Sequence, residues 1–422
     1  MTRLASGFIS DDSDAGSPSP LAEAVTGRIE AGDRLHVALI NYCGPGYGTG
    51  SPIILQRHLC HLREAGHRVT LCLPEGRHDL NFDDAAADRV IEIPMRRFCW
   101  PPFRAGIKLL YNIRIYLVAK FLIKRIKDSN ITHVITIPYD IYSDIAIKVG
   151  KKLNIPLLVI QHDQEELWFK IDQDRNRSVA RTKRALREAD IILPVTFDLA
   201  LAYQPCGEKI SVLRPIPGST KIHIDRNRFP KLFDFVYAGS IFDFHIPFLM
   251  DLSQRIANDG GYLHIIADLS NETAQTVQRN APNVKIVPKF NTNDEAVQFV
   301  ADIAATFLVI YESSQTEQAW SRTSFPSKLL DFCRSGVPIA IFAPQDSAVG
   351  AWCSEAHWPT FSSKYTSEEI SRVVSMVSDH AQWMEFANKS AVLAEGEFNF
   401  QFIHKKFVKS LVDAQSHFLN TY

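Results

Sequence analysis

The sequence predicts an α/β protein built as two doubly wound parallel sheets in tandem, with a cleft between them. Three observations carry that prediction. From Leu35 onward, short β-branched runs alternate with longer helical patterns, the signature of repeated βαβ units. A stretch rich in proline and turn formers, Val212 to Pro230, interrupts the alternation, which restarts at Asp234. And 422 residues exceed what one ordinary core serves.

The first 33 residues are dominated by Ser, Asp, Gly and Pro. They lack a basic start followed by an apolar core, so they read as a disordered leader rather than a secretory signal. Residues 34–219 then form the first domain, with strands expected at 35–42, 69–73, 90–94, 132–137, 156–161 and 191–195. Residues 220–400 form the second, with strands expected at 234–239, 262–267, 284–288, 306–311 and 338–343. Each run is apolar and β-branched, and each is separated from the next by a plausible helix. Residues 401–422 read as a terminal helix packing back toward the N-terminal domain. In such sheets ligands gather outside the carboxyl ends of the strands, so the loops there are where function is sought.

Composition narrows the field. A net charge of -1 gives no whole-chain attraction to polyanions, and no nucleic-acid-binding signature is present. Seven scattered cysteines form neither a CxxC pair nor a zinc-ligand cluster, as expected of reduced thiols in a cytoplasmic protein. No run of eighteen uncharged apolar residues suggests a membrane span.

Three loops hold chemistry-bearing residues. After the first strand, CGPGYGTGSP places Gly48, Thr49 and Gly50 at a helix start, where glycine allows close backbone approach to a ligand. The spacing is not that of a nicotinamide fingerprint. After the fifth strand stand His162 and Asp163, either of which could activate a hydroxyl or steady a developing positive charge; a plain polar turn is the competing reading. In SFPSKLLDFCRSGVP a helix begins after Pro326 and carries Ser327 and Lys328 in its first turn and Asp331 one turn later. That arrangement suits a diphosphate beside a ribose diol, or else an ordinary amphipathic helix.

This last segment resembles the donor-binding motif of glycosyltransferase family 4, the group 1 glycosyl transferases, in which a Pro-x-Lys-x-x-Glu helix ends in Gly-x-Pro before a strand. The interval from Gly50 to Gly66-His67, the turn YAGSI at 237–241 and the tail from Trp383 to Val412 are similar to that family as well. The resemblance spans roughly residues 36–412. It implies the GT-B fold and transfer of a sugar from a nucleotide-sugar donor to a saccharide or lipid-linked acceptor, with retention and without a metal or other cofactor. It carries His162 over as a catalytic residue, with Asp163 beside it. It implies donor contacts from Gly239, Ser240, Ser327, Lys328 and Asp331, with Lys289 and Phe290 near the nucleobase. Two departures stand out. The first member of the family's acidic pair falls on Thr323, with Glu312 or Glu317 as substitutes, and the basic residues that usually follow the YAGS turn are replaced by IFDFHIPF, leaving His245 and Lys328 to meet the diphosphate.

Between Arg96 and Lys127 the chain carries nine basic residues and no acid, interleaved with aromatic residues. An anionic membrane surface and a core helix with solvated lysines are both open readings, since Lys108, Arg114, Lys120 and Arg125 do not share one narrow helical face. A membrane surface would place the protein on the inner face of the cytoplasmic membrane, in polysaccharide or glycolipid assembly. A nucleotide-sugar epimerase and a non-catalytic scaffold of the same fold are the alternatives to a transferase.

Overall fold

The computed structural model describes residues 34–46, 50–76, 84–95, 107–168, 171–204, 207–224, 229–230, 233–312 and 319–421. The leader, Gly48, Thr49, Glu317 and residues 96–106 lie outside them.

The N-terminal sheet holds six parallel strands, β1 (His36–Ile40), β2 (Arg68–Pro74), β3 (Arg89–Ile93), β4 (His133–Thr136), β5 (Leu157–Gln161) and β6 (Ile191–Pro194), in the order β3-β2-β1-β4-β5-β6. The second holds β7 (Phe235–Ala238), β8 (Leu263–Ala267), β9 (Val284–Pro288), β10 (Thr306–Ile310), β11 (Ile339–Phe342) and β12 (Phe361–Ser362), ordered β12-β11-β10-β7-β8-β9. Counted within its own domain, each sheet follows the same winding, and the direction in which successive strands are added reverses across β1/β4 and β7/β10. Loops from those strands open into a shared crevice at the reversal.

Central strands such as β1, β5, β7 and β10 are buried along their whole length. Helices cover both faces, which is why these runs are apolar throughout rather than alternating. Within β1, Val37 and Leu39 join one core cluster while Ala38 and Ile40 join another on the opposite face. The edge strands β3 and β9 are less buried, exposing Arg89 and Glu92 on one and Lys285 and Pro288 on the other. The two-residue β12 had no apolar run to announce it.

Helices connect the strands: α1 (Ser51–Glu64), α2 (Ile107–Ile126), α3 (Ile141–Leu153), α4 (Asp172–Glu188) and α5 (Phe197–Leu201) in the first domain. In the second come α6 (His245–Ala257), α7 (Glu272–Asn280), α8 (Asn293–Ile303), α9 (Ser327–Cys333), α10 (Ala348–Glu355), α11 (Ser367–Ser378) and α12 (His380–Glu395). Local chemistry starts several of them. Asp140 caps α3 by accepting from Tyr142 N–H, and Thr292 with Glu295 forms a reciprocal capping box on α8.

The terminal helix α13 (Phe400–Thr421) returns to the N-terminal domain. His133 on β4 is hydrogen-bonded through Nε2 to Leu411 O at 2.8 Å, and His58 and His404 face each other through their Nδ1 atoms at 3.2 Å. Burial pushes the His133 imidazole down to about 4, against the opposing pull of the Leu411 carbonyl. Burial does the same to His404, helped by His61 and His67. Unfolded histidine titrates near 6.5, so between pH 6.5 and 4 the unfolded chain binds protons that the folded chain refuses. Stability is therefore lost as the pH falls through that window, at up to about 1.4 kcal/mol per pH unit for each such group. Thermal melting should show this slope, and His133→Gln should flatten it; a melting temperature constant from pH 6.5 to 4 would contradict the account.

On α2, Ile115, Val118, Ala119, Leu122 and Ile126 are buried against the sheet. The opposite face exposes Leu109, Ile113, Tyr116 and Leu117, and Lys120, Lys124, Arg125 and Lys127 are exposed toward its end. Arg114 instead reaches back to Met95 O. One face of the helix is thus core, and the other is an apolar stripe followed by lysines. Among the described residues, no helix is long and apolar enough to cross a membrane.

Candidate active site in the interdomain cleft

A cavity of about 260 Å³ lies between the two sheets, lined from the N-terminal side by Gly50, Ser51, His162 and Asp163 and from the C-terminal side by Tyr237, Ser240, His245, Ser324, Ser327 and Lys328. These residues lie at or beyond the carboxyl ends of β1, β5, β7 and β10, where the topology places a ligand site.

Gly50 opens α1 with φ 66° and ψ -141° and no side-chain cap. Glycine tolerates that backbone, and among the described residues no side chain caps the helix start. The next residue, Ser51, pairs its hydroxyl with His162 Nδ1 at 2.7 Å. Burial draws His162 down to about 4, so its imidazole is neutral at physiological pH.

The turn bearing His162 and Asp163 is held by one buried hydroxyl. Tyr139 Oη accepts from the N–H of His162 at 3.1 Å and of Asp163 at 2.6 Å, and donates to Asp163 O at 2.8 Å. Burial raises Asp163 above the usual carboxylate range, and the hydrogen bond from Ser324 works the other way. That bond, 2.6 Å from Ser324 Oγ, crosses the cleft. Beside it, Thr323 Oγ1 donates to Gln164 Oε1 at 3.0 Å, and Thr196 Oγ1 donates to Thr323 O. Where the family pattern has an acid, Thr323 thus ties the domains together.

On the facing wall, Lys328 lies against the β7 turn. Its ammonium sits where a Cβ on Gly239 would be, so any larger residue there would displace it. The turn is closed by Tyr237 Oη donating to Ser240 O at 2.6 Å, and Phe242 N–H donates to His245 Nδ1 at 3.0 Å. Burial lowers Lys328 to about 8, and Lys289 adds repulsion. Burial lowers His245 to about 4, with Lys328 contributing. At neutral pH Lys328 is therefore charged and His245 is neutral. Lys328 is the cation among the described lining residues.

Not every expected residue joins this cavity. Asp331, one turn beyond Lys328, is buried and bonded to Arg57, Gly218 and Asn293. Lys289 is exposed and reaches Lys328 through its charge, while Phe290 packs on Phe299. Glu312 is buried beyond the end of β10 and does not line the cavity. The helix α9 spans seven residues, so the positive character of the site rests on Lys328 rather than on a long helix dipole. Sequence reasoning missed Ser51, Tyr139 and Ser324. Ser51 was legible as the residue after the glycine run; Tyr139 and Ser324 meet Asp163 only through the fold.

No protein-family model matches the sequence, and no curated protein matches it. Solved structures do. A glycosyltransferase from Rickettsia africae superposes with a TM-score of 0.65 at 10% identity, covering 91% of this chain and 99% of that one. The chain has the GT-B fold. Anabaena HepE, solved with UDP and glucose, gives a TM-score of 0.61 at 10% identity, over 90% of this chain and 100% of that one. A putative UDP-N-acetylglucosamine 2-epimerase from Listeria monocytogenes gives 0.56 at 12% identity, over 92% and 98%. At such identities the GT-B likeness concerns architecture, and chemistry must be argued from the cleft.

Proposed function

We propose that the protein is a glycosyltransferase that moves a sugar from a nucleotide-sugar donor, held by the C-terminal domain, to an acceptor entering from the N-terminal side. The observation that carries this reading is the opposition of Lys328, packed on the Gly239-Ser240 turn, and the His162-Asp163 pair within one cavity. A departing nucleoside diphosphate gains negative charge in the transition state, and a part-buried ammonium stabilises it more strongly than water would. Asp163, with its raised pKa, accepts the proton of the incoming hydroxyl or steadies the anomeric centre. Neutral His162, oriented by Ser51, offers a ring nitrogen to the sugar or acceptor. No metal ion enters the proposed chemistry, and retention of configuration follows the family resemblance. UDP-bound HepE shows that the same architecture accommodates a nucleotide and a sugar.

The test is incubation of the protein with UDP- and GDP-sugars while nucleoside diphosphate and C2-epimerised sugar are followed separately. Release of diphosphate from one donor, stimulated by an acceptor, is expected. Epimer formation without an acceptor would favour the epimerase reading, and inertness toward every donor would favour a scaffold.

The acceptor proposed is lipid-linked, in surface polysaccharide or glycolipid assembly at the cytoplasmic face of the membrane. Leu109, Ile113, Tyr116 and Leu117 are spaced to share one exposed helical face, and four exposed cations follow. Apolar side chains can dip below the headgroups while lysines meet anionic lipid. Vesicles containing phosphatidylglycerol should pellet the protein in a salt-sensitive way, and Lys120→Gln with Lys124→Gln should reduce the bound fraction severalfold. Equal sedimentation with purely zwitterionic vesicles would contradict an electrostatic membrane contact.

A further inference from the structure

Asp331, which the Pro-x-Lys-x-x-acid pattern assigns to the donor ribose, is already gripped by the protein. Arg57 Nη1 stands 2.9 Å from its Oδ1 and 3.2 Å from its Oδ2. Gly218 N–H donates to Oδ1 at 3.0 Å and Asn293 Nδ2 to Oδ2 at 3.2 Å, with Arg334 at 3.7 Å. The Asp331 side chain is 4% exposed and that of Arg57 12%. Arg57 belongs to α1 of the N-terminal domain and also donates to Ile216 O, on the connection between domains, at 2.7 Å. A cation of one domain thus holds a carboxylate of the other.

A second cavity, of about 570 Å³, opens at the same place and is lined by Arg57, Gly218 and Asn293, three partners of Asp331. It adjoins the first along α1: Ile54 lines one cavity, and Ile53 and Arg57 line the other. It adjoins it along α9 as well, since Lys328 lines the first cavity and Asp331, one turn later, binds residues lining the second. A nucleoside in the larger space with its phosphates at Lys328 would bring ribose to Asp331, where Arg57 now sits.

We propose that Arg57 is an interdomain latch that holds the ribose-binding carboxylate and is displaced by the donor; this rests on the donor reading above. A vicinal diol presents hydroxyl donors, so ribose and guanidinium compete for the same lone pairs. Gly218, Asn293 and Arg334 keep the carboxylate satisfied during the exchange. Asp294, paired with Arg334 at 2.7 Å, and Glu295, held in the α8 capping box, line the same cavity and add negative charge around a displaced Arg57. Because the latch joins two domains, donor binding and the latched contact are linked, and each opposes the other.

Calorimetric titration of UDP and GDP into the wild type, Arg57→Gln, Asp331→Asn and the double variant tests this. Arg57→Gln should bind the wild type's preferred nucleotide about fivefold tighter or better. Asp331→Asn should bind it more weakly, and in the double variant the gain should vanish because its carboxylate is gone. Arg57→Lys, which keeps the charge but not the fork, should fall between and serves if the Gln variant does not fold. Wild-type binding that Arg57 variants leave equal or weakened overturns the latch while the donor reading stands. A gain surviving in the double variant also overturns it, and no binding to any chain overturns both.

Discussion

Asp163→Asn is expected to lower sugar transfer by about 10²- to 10⁴-fold with little change in donor affinity. Asparagine has the size of aspartate and can still accept the hydrogen bond from Ser324, so the cross-cleft contact at 2.6 Å has a substitute. What is lost is the charge and the ability to take a proton. Turnover measured against donor concentration separates these effects: kcat falls while KM holds. Burial raises the pKa of Asp163, so the wild-type rate should decline toward acid as that carboxylate protonates, and the variant should lack that decline. Full activity in Asp163→Asn would remove the residue from the chemistry and leave it as a domain tie.

Lys328→Ala is expected to weaken nucleoside diphosphate binding by about ten- to a hundredfold, the loss of one charge-assisted hydrogen bond of about 1.5–3 kcal/mol. The ammonium's pKa of about 8, set first by burial and then by Lys289, makes a second signature. Affinity in the wild type should fall as the pH rises past 8, because the neutral amine attracts phosphate poorly, and the variant should not show that fall. The same shift has a stability consequence of opposite sense. The unfolded lysine stays protonated up to about 10.4, so the folded chain loses stability as the pH falls from there toward 8. Lys328→Met should therefore melt higher than the wild type at neutral pH while binding less, a trade of stability for function. Unchanged nucleotide affinity in both variants would move the phosphates elsewhere.

Most of the architecture was legible because both sheets are parallel and covered on both faces. Such strands are short apolar β-branched runs, and eleven expected runs coincide within a few residues with β1 to β11. The unexpected β12 is two residues long, too short for any periodicity. The site was legible where one loop holds it: Gly50, His162, Asp163, Ser240, Ser327 and Lys328 all meet in the cavity. It was not legible where partners come from distant loops. Nothing near Asp331 in sequence announces Arg57, 274 residues away, and Ser324 lies 161 residues from Asp163.

Isothermal titration of UDP and GDP into the wild-type chain tests the central claim most directly. Saturable one-to-one binding of one of them at pH 7, weakening above pH 8 and weakened about ten- to a hundredfold by Lys328→Ala, is the result this account predicts. Absence of binding by both nucleotides to a folded wild-type chain would contradict it.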